Sequence, residues 1–302
     1  MVKSSYLKSI CALTLLLFVM GSLPSLVLAE NDPEKAKEMY NEGITAAKEG
    51  KNEQAILSYK TAIQLDPEFL DAYLNLGALY FKEKKYDDAQ DMFKKVAEKD
   101  PKNVDALANM GRVDYKLKRY PEAIESFNAA LALDVNQPDL YKELAKTYYS
   151  TKKYTEAAGT LEKSHELGSG DDYTYYLLGK SYQNLEKNNQ AVTALKKSLE
   201  MNADNANASF ALGQIYLSQE KFVNAASAFK AAHKADPKKY LAIYNYAIAV
   251  ESNDPDAIDT NIKNWEDFIR LAKKNPRAKG VLAQAEQHVK ELKDRKEKLE
   301  LQ

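Results

Sequence analysis

Apolar positions along this chain fall into files that return every 34 residues. One file holds Leu76, Met110, Leu144, Leu178, Leu212 and Tyr246. A second, three positions earlier, holds Met39, Tyr73, Leu107, Tyr141, Tyr175, Ser209 and Ile243. A third, four positions later, holds Tyr80, Tyr148, Tyr182 and Tyr216. Spacings of three, four and seven place these files on one face of an α-helix, with polar residues on the other. A separate apolar set, Tyr59, Phe93, Phe127, Leu161, Leu195 and Phe229, keeps the same period and predicts a second helix in each unit. Lys-rich stretches such as Lys84-Lys85-Tyr86 and Lys152-Lys153-Tyr154 separate the two helices. Pro67, Pro101 and Pro237 close three units, because proline cannot continue a helix.

Small residues keep the same beat. Ala55, Ala89, Ala123, Ala157, Ala191 and Ala225 lie 34 residues apart. Twelve residues ahead of them run Gly43, Gly77, Gly111, Gly179 and Gly213, with Ala145 and Ala247 in the two remaining slots. With the glycine file set as position 8 and the alanine file as position 20, units start near Ala36, Leu70, Val104, Pro138, Asp172, Ala206 and Tyr240. Helices approach to about 8–10 Å only where the crossing residues are small. Glycine inside a helix costs about 1 kcal/mol against alanine, so its return at one spacing has a packing reason.

Gly-x-x-Tyr, then Ala, then an aromatic ring, then Pro, at a period of 34, resembles the tetratricopeptide repeat family. The resemblance covers six units over residues 36–237 and a degenerate seventh over 238–276. It implies an all-α fold: a right-handed α-solenoid of stacked helix-turn-helix repeats, six to seven in number, used as a binding surface. The seventh unit is stretched, with Trp265, Phe268 and Leu271 carrying a longer second helix before Pro276. In residues 277–302, Leu282, Ala285, Val289, Leu292, Lys296 and Leu299 alternate spacings of three and four. This run reads either as a capping helix with a charged tail or as a coiled-coil dimer seam. Its shortness, and Lys296 within the seam, favour the cap, and the oligomeric state stays open.

The first residues stand outside the pattern. Lys3 and Lys8 precede an apolar run from Ile10 to Met20, Pro24 breaks it, and Val27-Leu28-Ala29 offers small side chains where a signal peptidase reads. Residues 1–29 are expected to be a secretory signal peptide, cleaved between Ala29 and Glu30 and followed by a linker over 30–35. The mature protein would then be periplasmic or secreted. The rival reading is an uncleaved anchor, which would supply the chain's only contact with a membrane. The one cysteine, Cys11, lies in this segment, so the mature chain has no thiol for a disulfide, a metal or a nucleophile.

Charge adds no bulk preference. Against 43 Lys and Arg stand 44 Asp and Glu, a formal net charge of -1, so the composition offers no argument for nucleic acid as a partner. Nor does a catalytic grouping emerge. His165, His233 and His288 are scattered, the first two sharing position 28, where half-buried packing is expected. No glycine-rich phosphate loop, helical His-Glu-x-x-His pair or Gly-x-Ser-x-Gly turn is present. Asp71, Asp105 and Asp139 hold position 2, where a negative charge suits a helix N-terminus. The expectation is a protein that is not an enzyme and holds neither cofactor nor metal.

The resemblance further implies that the first helix of each unit lines a concave groove through positions 2, 5, 6, 9, 12 and 13. Position 9 then presents Arg112, Lys146 and Lys180 in consecutive units, followed by Gln214, and Lys142 adds a cation at position 5. Position 6 carries Asn75 and Asn109, which similar proteins use to hold peptide backbone, although Glu143, Leu177 and Ala211 interrupt the series. Tyr115 and Tyr149 stand at position 12, and Tyr176, Phe210 and Tyr244 at position 5. Rings beside cations suit an extended peptide segment of another protein, with acidic groups or a terminal carboxylate set against the cations. Ordinary solvated lysine is the competing reading. Asp114 departs from the position 11 tyrosine; it either pairs locally or leaves its packing role to Tyr115. The function expected is a scaffold or adaptor that binds partner segments, in the assembly of an envelope or secretion complex. The alternative is a structural spacer that works through its convex face or C-terminal helix.

Overall fold

The computed structural model describes residues 31–301, so the signal segment expected at 1–29 lies outside the described residues. Fifteen α-helices and one short 3-10 turn make up the ordered elements described, with no strand among them. The chain divides into two compact units, with the boundary between Asn109 and Met110. Unit one contains α1 (Pro33–Lys48), α2 (Asn52–Leu65), α3 (Leu70–Lys82), α4 (Tyr86–Lys99) and the start of α5 (Val104–Lys116). Unit two continues with α6 (Tyr120–Leu133), α7 (Pro138–Ser150), α8 (Tyr154–Glu166), α9 (Asp172–Asn184) and α10 (Asn188–Met201). It ends with α11 (Ala206–Ser218), α12 (Phe222–Ala235), α13 (Tyr240–Asn253), α14 (Ile258–Ala272), a turn at Pro276–Ala278 and α15 (Lys279–Glu300). The first helix starts at Pro33, inside the stretch expected as linker, because Asp32 caps it by accepting from the Lys35 N–H at 3.0 Å and Pro33 takes the first turn.

The small residues act as seats. A Cβ on Gly77 would lie 2.7 Å from the Phe93 ring in unit one, and a Cβ on Gly111 would lie 2.6 Å from the Phe127 ring in unit two. Gly213 stands in the same relation to Phe229. The position 24 ring therefore fills the space that the position 8 glycine leaves empty, so first and second helices meet at backbone distance. Ala145 breaks the glycine file, and both it and its position 24 counterpart Leu161 are completely buried. All six alanines of the position 20 file are completely buried.

The turn between the two helices of a repeat has its own backbone signature. Position 15 adopts the left-handed region at Gly50, Lys84, Lys118, Lys152, Glu186 and Glu220, with φ from 57° to 76°. This conformation lets the position 16 N–H reach back to the position 11 carbonyl, as in Lys85 to Tyr80 and Lys153 to Tyr148, both 2.9 Å. Only the first of the six uses glycine; the others carry a Cβ where it is unfavourable. The same turn sets the position 16 cation over the position 11 ring: Lys85 over Tyr80 at 5.9 Å, Lys153 over Tyr148 and Lys187 over Tyr182 at 6.0 Å. Asp114 takes the ring's place in its repeat, and there the position 16 residue is Arg119, whose Nη1 lies 3.8 Å from the buried Asp114 carboxylate. The departure at Asp114 is thus met by a local ion pair.

The stretched seventh repeat keeps no left-handed turn. It closes instead on Trp265 and Phe268, against which α15 buries Ala285, Val289 and Leu292. Lys296 pairs with Asp259 at 2.7 Å, Lys293 with Glu266 at 2.7 Å and Arg295 with Asp256 at 2.8 Å. α15 thus buries part of its apolar face within the chain, while Leu299 is exposed.

Seats and turns can each be tested by substitution. Gly111→Ala is expected to destabilise the fold by about 1–3 kcal/mol and Phe127→Leu by about 1 kcal/mol. In denaturant melts the double variant should lose less than the sum, by about 0.5 kcal/mol or more; strict additivity would refute the seat. Lys152→Gly should stabilise by about 0.5–1 kcal/mol in the same melts by removing the left-handed Cβ, and a loss of stability would show the residue to be unstrained.

Candidate functional site

The first helices of unit two bring one group of side chains together. Tyr115 comes from α5, Lys146 and Tyr149 from α7, and Tyr173, Tyr176 and Lys180 from α9. Helical spacing explains why they share a face: Tyr173, Tyr176 and Lys180 are three and four residues apart, and Lys146 and Tyr149 are three apart. Lys146 Nζ sits 5.9 Å from the centre of the Tyr173 ring, and the Tyr173 and Tyr176 rings are 6.4 Å apart. Burial raises the Tyr149 hydroxyl above the ordinary tyrosine range, the proximity of Tyr176 raises it further, and a hydrogen bond with Asn184 opposes both. Burial alone does the same to Tyr176. Tyr173 is raised by burial and then by its neighbours Tyr115 and Tyr176.

The cations of the expected groove divide into two kinds. Arg112 Nε donates to Glu143 Oε1 of the following repeat at 3.2 Å, and Lys142 Nζ to Asp171 Oδ2, just before the following repeat, at 2.5 Å. Asp171 is also the N-cap of α9, accepting from the Thr174 N–H at 2.7 Å. Lys146 and Lys180 make no ion pair among the described residues. Lys180 is half-buried and donates to the Gln183 side-chain oxygen at 2.6 Å. Burial depresses its amine below the ordinary lysine range, since no carboxylate offsets the lost hydration.

The other expected groove residues lie elsewhere. In unit one, Asn75 Nδ2 donates to the Tyr40 hydroxyl at 2.7 Å, and Asn109 is half-buried. In unit two, Phe210 packs edge-on against Phe229 at 5.5 Å with Lys239 above its face at 5.3 Å. Tyr244 packs on Trp265 and Phe268 at 5.4 and 5.1 Å, while Gln214 is exposed. His165 is half-buried against Tyr175 at 4.0 Å, and that burial lowers its pKa. Tyr173 joins the group without being among the residues expected from sequence. It does carry a signal: position 2 is Asp in the three preceding repeats and becomes Tyr here.

Residues 36–242 match the family described as the cilia and flagella-associated protein 70 C-terminal domain, a tetratricopeptide repeat family. The chain belongs to this tetratricopeptide repeat family. Solved structures of tetratricopeptide repeat proteins share its fold. YrrB, described as having an unusual peptide-binding site, is 21% identical with a TM-score of 0.55, over 63% of this chain and 96% of its own. The Pseudomonas aeruginosa protein pilF is 21% identical with a TM-score of 0.58, over 70% and 95%. The C-terminal part of a tetratricopeptide repeat-containing protein from Cytophaga hutchinsonii is 17% identical with a TM-score of 0.65, over 79% and 97%. No curated protein matches the chain. Among the described residues of this tetratricopeptide repeat protein, no helix is long and apolar enough to cross a membrane.

Lys180 yields a prediction with a definite sign. Below its depressed folded value the amine is charged in both states, and the burial penalty is fully present. The penalty fades as pH rises from that value towards the ordinary lysine value, where the unfolded chain also loses its proton. Lys180→Met should therefore raise the thermal midpoint at neutral pH, by roughly 1–3 °C. The gain should shrink in melts above about pH 10. A lowered midpoint at neutral pH would show that the amine is well solvated.

Proposed function

We propose that this protein is a non-catalytic scaffold that captures extended segments of partner proteins along its first helices, with acidic groups of the partner set against Lys146 and Lys180. The observation that carries this reading is the half-buried Lys180 amine, left without a carboxylate and held only by the Gln183 side chain. An unpaired, partly desolvated cation costs stability, and a partner carboxylate relieves that cost on binding. Tyrosine rings add apolar contact at low entropic cost. The repeat architecture supports the reading, as does the peptide-binding site of the structurally similar YrrB. Arg112 and Lys142 act by contrast as clasps between repeats, and Asn75 and Asn109 belong to a separate unit.

Place and task belong to the same proposal. The Lys3, Lys8 and Ile10 to Met20 pattern, ending at Ala29, supports export, so the scaffold works in the periplasm or outside the cell, in the assembly of an envelope or secretion complex. Binding is recognition by a largely preformed surface, with electrostatic steering that weakens as salt screens it.

Lys146→Glu with Lys180→Glu should reduce capture of partner segments from the protein's own envelope fraction by at least about ten-fold, with the far-ultraviolet dichroism unchanged. Arg112→Glu should act mainly on stability. Undiminished capture by the double variant would sink this assignment of the binding face.

A further inference from the structure

The far end of unit two holds a site of opposite character. α13, α14 and α15 surround a cleft of about 880 Å³ whose walls include Tyr244, Ile248, Pro255 and Trp265 and whose acids are Glu251 and Glu291. That volume lies within the range of ligand sites. Trp265 is fixed in place: its Nε1 donates to Glu251 Oε2 at 2.7 Å, and its ring meets Tyr244 edge-on at 5.4 Å. His288, from α15, lies with Nε2 2.8 Å from the same carboxylate oxygen and its ring 5.1 Å from Trp265.

The charge of this cleft is out of step with its surroundings. Outside it, Glu286, Glu266 and Asp256 are each matched by Lys273, Lys293 and Arg295. Inside it, neither Glu251 nor Glu291 pairs with a lysine or arginine among the described residues. Glu251 is only 22% exposed, so its charge is poorly hydrated. A carboxylate offers about four acceptor positions; Trp265 takes one on Oε2 and His288 Nε2 straddles both oxygens, 2.8 Å from Oε2 and 3.0 Å from Oε1, which leaves acceptor positions over.

We infer that this cleft binds a guanidinium side chain presented by a partner protein. Aromatic walls favour a flat, weakly hydrated cation over a compact ammonium, and a carboxylate at the wall accepts its forked donors. Glu291 lines the same cleft, accepts from the Gln287 side chain at 2.9 Å, lies 4.0 Å from His288 Nδ1 and adds attraction from an exposed position. The cleft is independent of the Lys146 and Lys180 face, since it uses other residues and the opposite sign of charge. Either assignment can fail alone.

Trp265 is the chain's one tryptophan, so its fluorescence reports on the cleft directly. The full chain would be titrated with Nα-acetyl-arginine amide and, separately, with its neutral isostere Nα-acetyl-citrulline amide. A saturable change with the arginine probe, at least about ten-fold weaker with citrulline, is expected. Glu251→Gln should abolish the response. Because that variant also touches Trp265, Glu291→Gln serves as the second, and should weaken the arginine probe several-fold with an unchanged thermal midpoint. Equal responses to both probes would point to a purely apolar cleft. That result, the lack of any saturable response, or full affinity in Glu291→Gln would each overturn the proposal.

Discussion

Close contact between a position 24 ring and the bare backbone of a position 8 glycine governs everything else in this protein. It sets how near the two helices of a repeat can come, and hence which of their residues are left facing outward. With Phe93 seated on Gly77 and Phe127 on Gly111, the outward positions of the first helix are the same in repeat after repeat. Those positions are free to differ in chemistry because they contribute little to the pair. A leucine can fill the seat as closely as a ring, since a Cβ on Gly179 would lie 2.6 Å from Leu195 Cγ.

Much of this packing is legible in the amino-acid sequence. Files such as Leu76 to Tyr246, and the two combs of small residues, encode helix faces and crossings directly, because steric packing has a fixed spacing. The left-handed turn at position 15 is not legible in the same way. Lysine and glutamate carry no mark of positive φ, and only Gly50 hints at it. Ion pairs are hidden for a different reason. Arg112 and Glu143 lie 31 residues apart, and nothing local to either residue announces the other. The same holds for Lys142 and Asp171. Sequence alone thus counts four equivalent cations where the fold distinguishes two that clasp neighbouring repeats from two that face outward unpaired. The cleft around Trp265 leaves no periodic trace because it joins α13, α14 and α15 in the one repeat that departs from the period.

Electrostatics in unit two therefore has a layered logic. Surface pairs such as Lys163 with Glu166 and Lys293 with Glu266 contribute little to stability. Among the described charges without a lysine, arginine, aspartate or glutamate partner, Lys146, Lys180 and Glu251 are partly buried and Glu291 is exposed. An unmatched charge in a poorly hydrated place is one that an oppositely charged group can relieve.

The pairing of Asp114 with Arg119 bears on how such an array can change over time. In the second, fourth and fifth repeats a tyrosine and a lysine meet at this turn, so an exchange among these three would keep the contact. A crossover falling between residues 114 and 119 would instead leave a buried carboxylate facing a lysine placed for a ring, or an arginine without its acid. These two residues act as one unit. The third repeat is thereby tied to its own turn, and shuffling within the family has a seam there that it cannot cut.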